Sequence, residues 1–303
     1  MANIRQSFAT SRAAKLAWAA FLPGILLAAT ALAAPPGPLP FGVYDPEAYF
    51  INDAEVSIEH VFLPWEDVNL NTLLEADVYA LERKRALLIT VEPWTWTRDE
   101  RNTADFLRRG IEEGDYDANM KAVCAVAANL QSPVSVRWGQ EMETDDGQFI
   151  WSDWEPDAFI SAFRRMMEVC RAEAPNINIV WSPIGQDNAL DYYPGDEYVD
   201  LVGLSIFGYE PWEVAILGGA QTYSDVLTKR YNVVKGVNKP VFVAELGYSG
   251  SQAYVDSWEG EVRLARPDLP LLVGVAYFHQ KEVYSWPDGF GTPDWRIENR
   301  VLD

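Results

Sequence analysis

The chain is poor in the residues that bind metals and phosphates. Two cysteines and two histidines in 303 residues are too few for a zinc cluster of the Cys/His kind. Its 24 lysines and arginines stand against 45 aspartates and glutamates, a formal charge of −21. Such a surface repels a phosphate backbone, which excludes nucleic acid as a general partner. No glycine-rich dinucleotide turn follows the first strand-like run. Beyond residue 33 no apolar stretch is long enough to span a bilayer. Aromatic surface, by contrast, is abundant: 12 Trp, 14 Tyr and 13 Phe in a chain that is 49% hydrophobic and 23% charged. That composition belongs to a folded globular protein.

The N-terminus reads as an export signal over residues 1–33. Arg5, Arg12 and Lys15 precede an apolar run from Leu16 to Ala33, and Ala31 and Ala33 supply the small-x-small exit that signal peptidase accepts. Pro23-Gly24 weakens a permanent membrane helix, so cleavage after Ala33 is expected in preference to an uncleaved anchor. Residues 34–39, beginning Ala34-Pro35-Pro36-Gly37-Pro38, form a short stiff leader before a single domain over 40–303. The expected location is secreted or periplasmic. An oxidising compartment permits Cys124 and Cys170 to pair. Both also fit as small buried side chains in helical patterns, and free buried thiols are the expectation.

Eight short apolar runs recur along the mature chain: Phe41–Tyr44, Val56–Leu63, Ala86–Val91, Val134–Trp138, Ile177–Trp181, Val199–Ile206, Pro240–Ala244 and Leu271–Phe278. Helical spacing appears between them at Leu70–Arg83, Ala118–Leu130, Pro156–Ala174, Tyr223–Val237 and Gln252–Ala265. Near-continuous apolar strands alternating with amphipathic helices indicate a parallel sheet covered on its outside. Eight such units in this length fit an α/β fold of the closed (β/α)8 TIM barrel type better than an open sheet. In such barrels the reactive groups sit at the C-terminal ends of the strands.

Two strands end in glutamate. The fourth runs Val134-Ser135-Val136-Arg137-Trp138-Gly139-Gln140-Glu141-Met142-Glu143, and the seventh Pro240-Val241-Phe242-Val243-Ala244-Glu245-Leu246-Gly247. A single glutamate there is more often a helix cap or an ion-pair partner. Two carboxylates facing across a barrel mouth, each with aromatics beside it, match the pair that flanks a glycosidic bond, about 5–5.5 Å apart in retaining enzymes. Trp94, Trp96, Trp151 and Trp154 fall on polar loops beyond strand ends, where indole faces can stack on sugar rings. Trp138 and Trp181 have barrel packing as an alternative role. An acidic, tryptophan-rimmed cleft suits a neutral polysaccharide and disfavours polyuronates.

Most of residues 40–300 resembles the family 26 glycoside hydrolases, (β/α)8 retaining enzymes best known as endo-β-1,4-mannanases. The resemblance rests on Arg137-Trp138-Gly139-Gln140-Glu141-Met142-Glu143, which is similar to that family's Arg-x-x-His-Glu-Met-Asn pattern, and on Pro240 through Gly247, which matches its strand-seven Pro-x-x-x-x-Glu-x-Gly. Further echoes are Val180-Trp181-Ser182-Pro183, Tyr192-Tyr193-Pro194-Gly195-Asp196, Val199-Asp200-Leu201-Val202-Gly203-Leu204 and Asp294-Trp295-Arg296. The resemblance implies Glu141 as general acid/base and Glu245 as nucleophile, with Arg137 near Glu245. Substrate contacts are expected from Arg137, Trp138, Gln140, Glu143, Trp94, Trp96, Trp151, Trp154, Tyr209 and Tyr277. Three positions depart from the pattern: Gln140 replaces histidine, Glu143 replaces asparagine, and Phe207 stands near a customary tyrosine. The group beside the acid/base typically binds the 2-hydroxyl, whose orientation separates mannose from glucose. Mixed-linkage β-1,3/1,4-glucan therefore stands beside β-1,4-mannan as the substrate type, and the attack is expected to be endo.

The other readings are weaker. Gly247-Tyr248-Ser249-Gly250-Ser251 lacks the second glycine of a nucleophile elbow, and only His60 and His279 are available as its base. Asp115, Asp117 and Asp145-Asp146 are acidic loops of the kind that calcium uses, but such loops are usually solvated surface. A polysaccharide-binding protein on a degenerate glycosidase barrel is the non-enzyme alternative. No cofactor and no metal are expected, no stable membrane insertion once the signal is removed, and a monomer.

Overall fold

A computed structural model describes residues 33–66, 68–94, 103–144 and 147–302. Its eight strands close in chain order into one parallel barrel. They are β1 (Phe41–Tyr44), β2 (Val56–Pro64), β3 (Ala86–Glu92), β4 (Val134–Trp138), β5 (Asn178–Trp181), β6 (Leu201–Tyr209), β7 (Val241–Ser249) and β8 (Leu272–Phe278). β1 pairs with β8 and completes the ring. The helices are α1 (Asn71–Arg83), α2 (Ala104–Glu113), α3 (Asp117–Ala127), α4 (Pro156–Glu173), α5 (one turn, Glu210–Trp212, followed by a π turn over Glu213–Leu217), α6 (Tyr223–Val234) and α7 (Gln252–Glu261). The (β/α)8 reading of the sequence holds.

Side chains alternate across each strand, and the barrel therefore has two apolar layers. Leu88, Val180, Phe242, Ala244 and Ala276 fill its interior. A much larger layer, containing Trp138, Phe159, Phe163, Trp181 and Trp258, lies between sheet and helices. The interior also accepts polar residues. His60, Thr90, Arg137, Ser182 and Ser205 are all buried in a ring that crosses β2 to β6, and it lies directly beneath the reactive end of the barrel.

Three local features differ from the sequence expectation. β7 continues past Ala244 to Ser249, so Glu245 lies inside the strand. Its register shifts against β6 between Leu204 and Ser205, and against β8 between Val243 and Leu246. A bulge of this kind re-aims side chains beside a site, and here it falls at Glu245. Helix α2 was not expected, because only Leu107, Gly110 and Ile111 of its ten residues are buried. Its caps nonetheless stood in the sequence: Thr103 Oγ1 accepts the Phe106 N–H, and Gly114 closes the helix at φ 91°. The stiff leader is fastened to the domain. The Ala33 and Ala34 amides donate to Asp53 Oδ2 at 2.9 and 2.8 Å, and Arg263 donates to the carbonyls of Pro35 and Leu39. Residues 1–32, and with them nearly all of the expected signal, lie outside the described residues. Among those described, no helix is long and apolar enough to cross a membrane.

The expectation of free thiols is overturned. Cys124 on α3 and Cys170 on α4 form a disulfide, with Cα atoms 5.2 Å apart. Both helices present these residues to their shared buried seam, and two small buried side chains on facing helices come within bonding range. The bridge closes a loop of 46 residues, which constrains the unfolded chain. Replacing both cysteines with serine should lower stability by about 2–4 kcal/mol. Urea unfolding checks this, with an unchanged midpoint as the contrary result.

Candidate active site

Arg137 and Trp138 are adjacent on β4 and so point to opposite faces. Arg137 turns into the barrel and is fully buried. A guanidinium has five N–H donors and no acceptor, and this one distributes them around the interior. Nε donates to Ser182 Oγ at 2.7 Å. Nη1 donates to Glu245 Oε1 at 2.6 Å and to Thr90 Oγ1 at 3.3 Å. Nη2 reaches Ser205 Oγ at 3.5 Å. Gly203 keeps the space open, because a Cβ there would lie 2.6 Å from Ser182 Oγ.

Glu141 follows β4 on a backbone turned into the left-handed region, at φ 57°, two residues after Gly139 at φ 56°. This conformation costs a non-glycine residue about 1 kcal/mol or more. The Glu141 N–H donates to the Ser182 carbonyl at 2.8 Å, which holds the turn. Its carboxylate and that of Glu245 line the same cleft, about 1640 Å³ in volume. The Ser205 hydroxyl, buried between them, hydrogen-bonds Glu141. Arg137 therefore holds Glu245 directly and meets Glu141 through one serine.

Electrostatics separates the two carboxyls. Burial pushes Glu141 up to about 8, and the charge on Glu245 pushes in the same direction. Burial raises Glu245 as well, and the ion pair and hydrogen bond from Arg137 offset part of that rise. Glu245 thus ionises first, and Glu141 keeps its proton at neutral pH. A pair of carboxyls driven apart in this way divides into an acid and a base or nucleophile.

Of the eight other acidic side chains lining this cleft, Glu92, Glu143 and Glu282 act electrostatically on Glu141 or Glu245. Glu92, raised by burial, accepts a hydrogen bond from Gln140 Nε2 at 2.8 Å. Glu143, also raised by burial, accepts the Gly185 N–H at 2.7 Å. Glu282 is pushed up to about 7 by burial, against the Trp295 indole N–H that donates to it at 2.7 Å. Sequence reasoning did not single out Glu282, because it lies on a polar loop beyond β8 and not at a strand end. Ser205, Ser182 and Thr90 also escaped it, since hydroxyl residues in strands carry no distinguishing pattern.

Of the expected substrate contacts, Gln140, Glu143, Trp94, Trp154 and Tyr209 line the cleft. Four others need correction. Arg137 lies below the cleft wall and supports Glu245 instead of touching a ligand. Trp138 faces outward and packs on Phe159 and Phe163 of α4. Trp151 is buried, donating to the Gln140 carbonyl at 2.7 Å and stacking on Phe149, so it props the loop that carries Glu141. Tyr277 is buried against Arg300 and donates to the Trp295 carbonyl. Trp96 lies outside the described residues. The aromatic wall is completed by Tyr44, Phe62, Phe207, Phe278, Tyr284 and Trp286.

Among the described residues the rival chemistries find no site. Ser249 is buried and donates to the Arg300 carbonyl at 2.9 Å. Asp117 is engaged by Arg165 through two bonds of 2.8 Å, and Asp145-Asp146 lie outside the described residues. Among the described residues no group of three or more His, Cys, Asp or Glu could hold a metal ion.

Barrel, cleft and buried glutamate pair together define a (β/α)8 protein with a two-carboxylate centre at the C-terminal end of its sheet. The sequence profile of Glycosyl hydrolase family 26 matches residues 105–258, and the chain belongs to that family. It is 27% identical over 222 residues to Endoglucanase H of Acetivibrio thermocellus, covering 66% of this chain and 22% of that protein. It is 25% identical over 146 residues to a Beta-1,3-xylanase of Alcaligenes sp (45% and 28%), and 28% identical over 139 residues to Mannan endo-1,4-beta-mannosidase A and B of Caldalkalibacillus mannanilyticus (45% and 24%). These matches span 22% to 28% of the length of those relatives. Among solved structures, the catalytic domain of the Bacillus sp. JAMB-750 family 26 endo-beta-1,4-mannanase superposes with a TM-score of 0.58 at 14% identity, over 79% of this chain and 71% of that one, and so shares the fold.

Proposed function

We propose that this chain is an exported, retaining, endo-acting glycoside hydrolase that cuts a neutral β-linked polysaccharide of the β-1,4-mannan or β-1,3/1,4-glucan type by double displacement. The observation that carries the reading is one cleft lined by two glutamates in unlike settings, Glu141 with its carboxyl pushed up to about 8 and Glu245 paired to Arg137 at 2.6 Å. In the first step Glu141 gives its proton to the departing glycosidic oxygen while Glu245 attacks the anomeric carbon, leaving a glycosyl ester. In the second, Glu141, now a carboxylate, takes a proton from water. That water opens the ester, releasing the sugar and returning both residues to their starting states.

The cleft walls fit such a substrate. Among the described residues they carry ten acidic side chains against Lys229 and Arg230, a field that disfavours uronic acid polymers. Phe207, Phe278 and Trp286 supply flat apolar faces for sugar rings. Gln140 is pinned by Glu92 through its amide nitrogen, while its Oε1 has no partner. We read Gln140, which lines the cleft, as the side chain that meets the 2-hydroxyl of the sugar at the point of cleavage.

Digestion of soluble β-mannan and mixed-linkage β-glucan, followed by proton NMR of the first-formed reducing ends, tests the reading. The β-anomer should appear first, with viscosity falling well ahead of full conversion. An α-anomer at the start, or no new reducing ends from either polymer, would sink it.

A further inference from the structure

One buried titratable group has no part in these two steps. His60 on β2 lies inside the barrel, almost fully buried. Its Nε2 is 2.7 Å from Thr90 Oγ1 on β3. Thr90 in turn receives Arg137 Nη1 from β4 at 3.3 Å, and the same nitrogen donates to Glu245 on β7. A hydrogen-bonded chain thus runs from His60 through Thr90 and Arg137 to Glu245.

The Arg137 end of this chain has a fixed direction, and the His60 end follows from the tautomer its surroundings favour. Arg137 has only donors, so Thr90 Oγ1 must accept from it. The hydroxyl hydrogen of Thr90 pairs with His60 Nε2 when that nitrogen offers a lone pair, in the neutral tautomer with its proton on Nδ1. The surroundings enforce the same state. Burial first, and the Arg137 charge second, hold the imidazole well below its ordinary value. The neighbouring groups are the rings of Tyr44 and Phe62, which pack against the imidazole. The nearby carboxylates are engaged elsewhere, Asp45 with His279 and Glu59 with Arg85. A proton on Nε2 would remove the acceptor and set a second cation beside Arg137.

We propose that His60 is a positioning residue for Glu245: as a neutral acceptor it turns the Thr90 hydroxyl so that the Thr90 oxygen locks the Arg137 guanidinium in line with the carboxylate. The proposal rests on the reading of Glu245 as the nucleophile. His60→Leu removes the acceptor and frees the Thr90 hydroxyl to swing toward Arg137, which loosens the ion pair. His60→Gln keeps an amide oxygen that can accept the same hydrogen.

The test follows the side-chain carboxyl of Glu245 by carbon NMR titration in the full chain, beside the pH profile of kcat/KM on mixed-linkage β-glucan or β-mannan. In His60→Leu the Glu245 titration, and with it the acid limb of the profile, should move up by about one pH unit, which is tenfold in the ionised fraction on that limb. Thr90→Val should do the same, with no further shift when the two are combined. His60→Gln should bring the titration back toward that of the unaltered chain. If His60→Leu does not fold, Thr90→Val against His60→Gln carries the comparison. A Glu245 titration unmoved in His60→Leu and Thr90→Val overturns the proposal. The NMR titration is read without turnover, so it separates this outcome from failure of the hydrolase reading, in which Glu245→Gln would leave the activity intact.

Discussion

Replacing Glu245 with alanine should lower kcat/KM on the polysaccharide by about 10⁴-fold or more, because no covalent intermediate can form. Glu141→Gln should behave differently. Loss of a general acid costs about 10²–10⁴-fold, and that loss depends on how much help the leaving group needs. On a natural glycan the full penalty applies. On an aryl glycoside with a good leaving group, the first step should be nearly spared in Glu141→Gln and still abolished in Glu245→Ala. Comparing the two variants on both substrates assigns the roles. The pH profile adds a second check. With Glu141 pushed up to about 8, kcat/KM should fall as pH rises through that value and Glu141 loses its proton. In Glu141→Gln that alkaline limb should vanish. If it stays, the limb belongs to another group, and Glu282, pushed up to about 7, becomes the first to substitute.

Arg137→Met is expected to have the largest effect on stability. The guanidinium is fully buried and bonds Ser182, Thr90, Ser205 and Glu245. Removing one partner of a buried ion pair costs about 3–5 kcal/mol, because the other charge is stranded. The sign of the pH dependence follows from Glu245. Without Arg137 its folded-state pKa rises further above the unfolded value. The stability this carboxyl contributes is then present at low pH and lost as pH rises through the folded pKa. Urea unfolding of the variant and the unaltered chain should therefore differ less at pH 5 than at pH 8. A gap that stays constant across that range would mean that the arginine stabilises by packing alone. Lysine is not a conservative substitute here, since one ammonium cannot span four acceptors set around a plane.

Much of this architecture was legible because burial on both faces writes strands as apolar runs. All eight runs became strands of the barrel, and Glu141 and Glu245 meet in one cleft. The errors have physical reasons too. β7 overran its expected end because Leu246, Tyr248 and Ser249 are all buried, so neither the carboxylate at 245 nor Gly247 interrupts the strand. α2 was missed although it is strongly amphipathic, because half of its ten residues are charged and it buries only Leu107, Gly110 and Ile111 on the inner face. The misplaced aromatics share a cause. Position at a strand end does not say which way a ring points, whereas alternation does: an inward Arg137 requires an outward Trp138. The disulfide required α3 and α4 to be neighbours, and no pattern within either helix reports that.

The backbone at residue 141 bears on the rival idea of a barrel that only binds. A left-handed φ of 57° and a half-buried acid that resists losing its proton both work against folding. Glycine would relieve both at once. A barrel that only bound glycans would gain stability from glycine at residue 141, whereas the proposed hydrolase needs the carboxyl there as its acid.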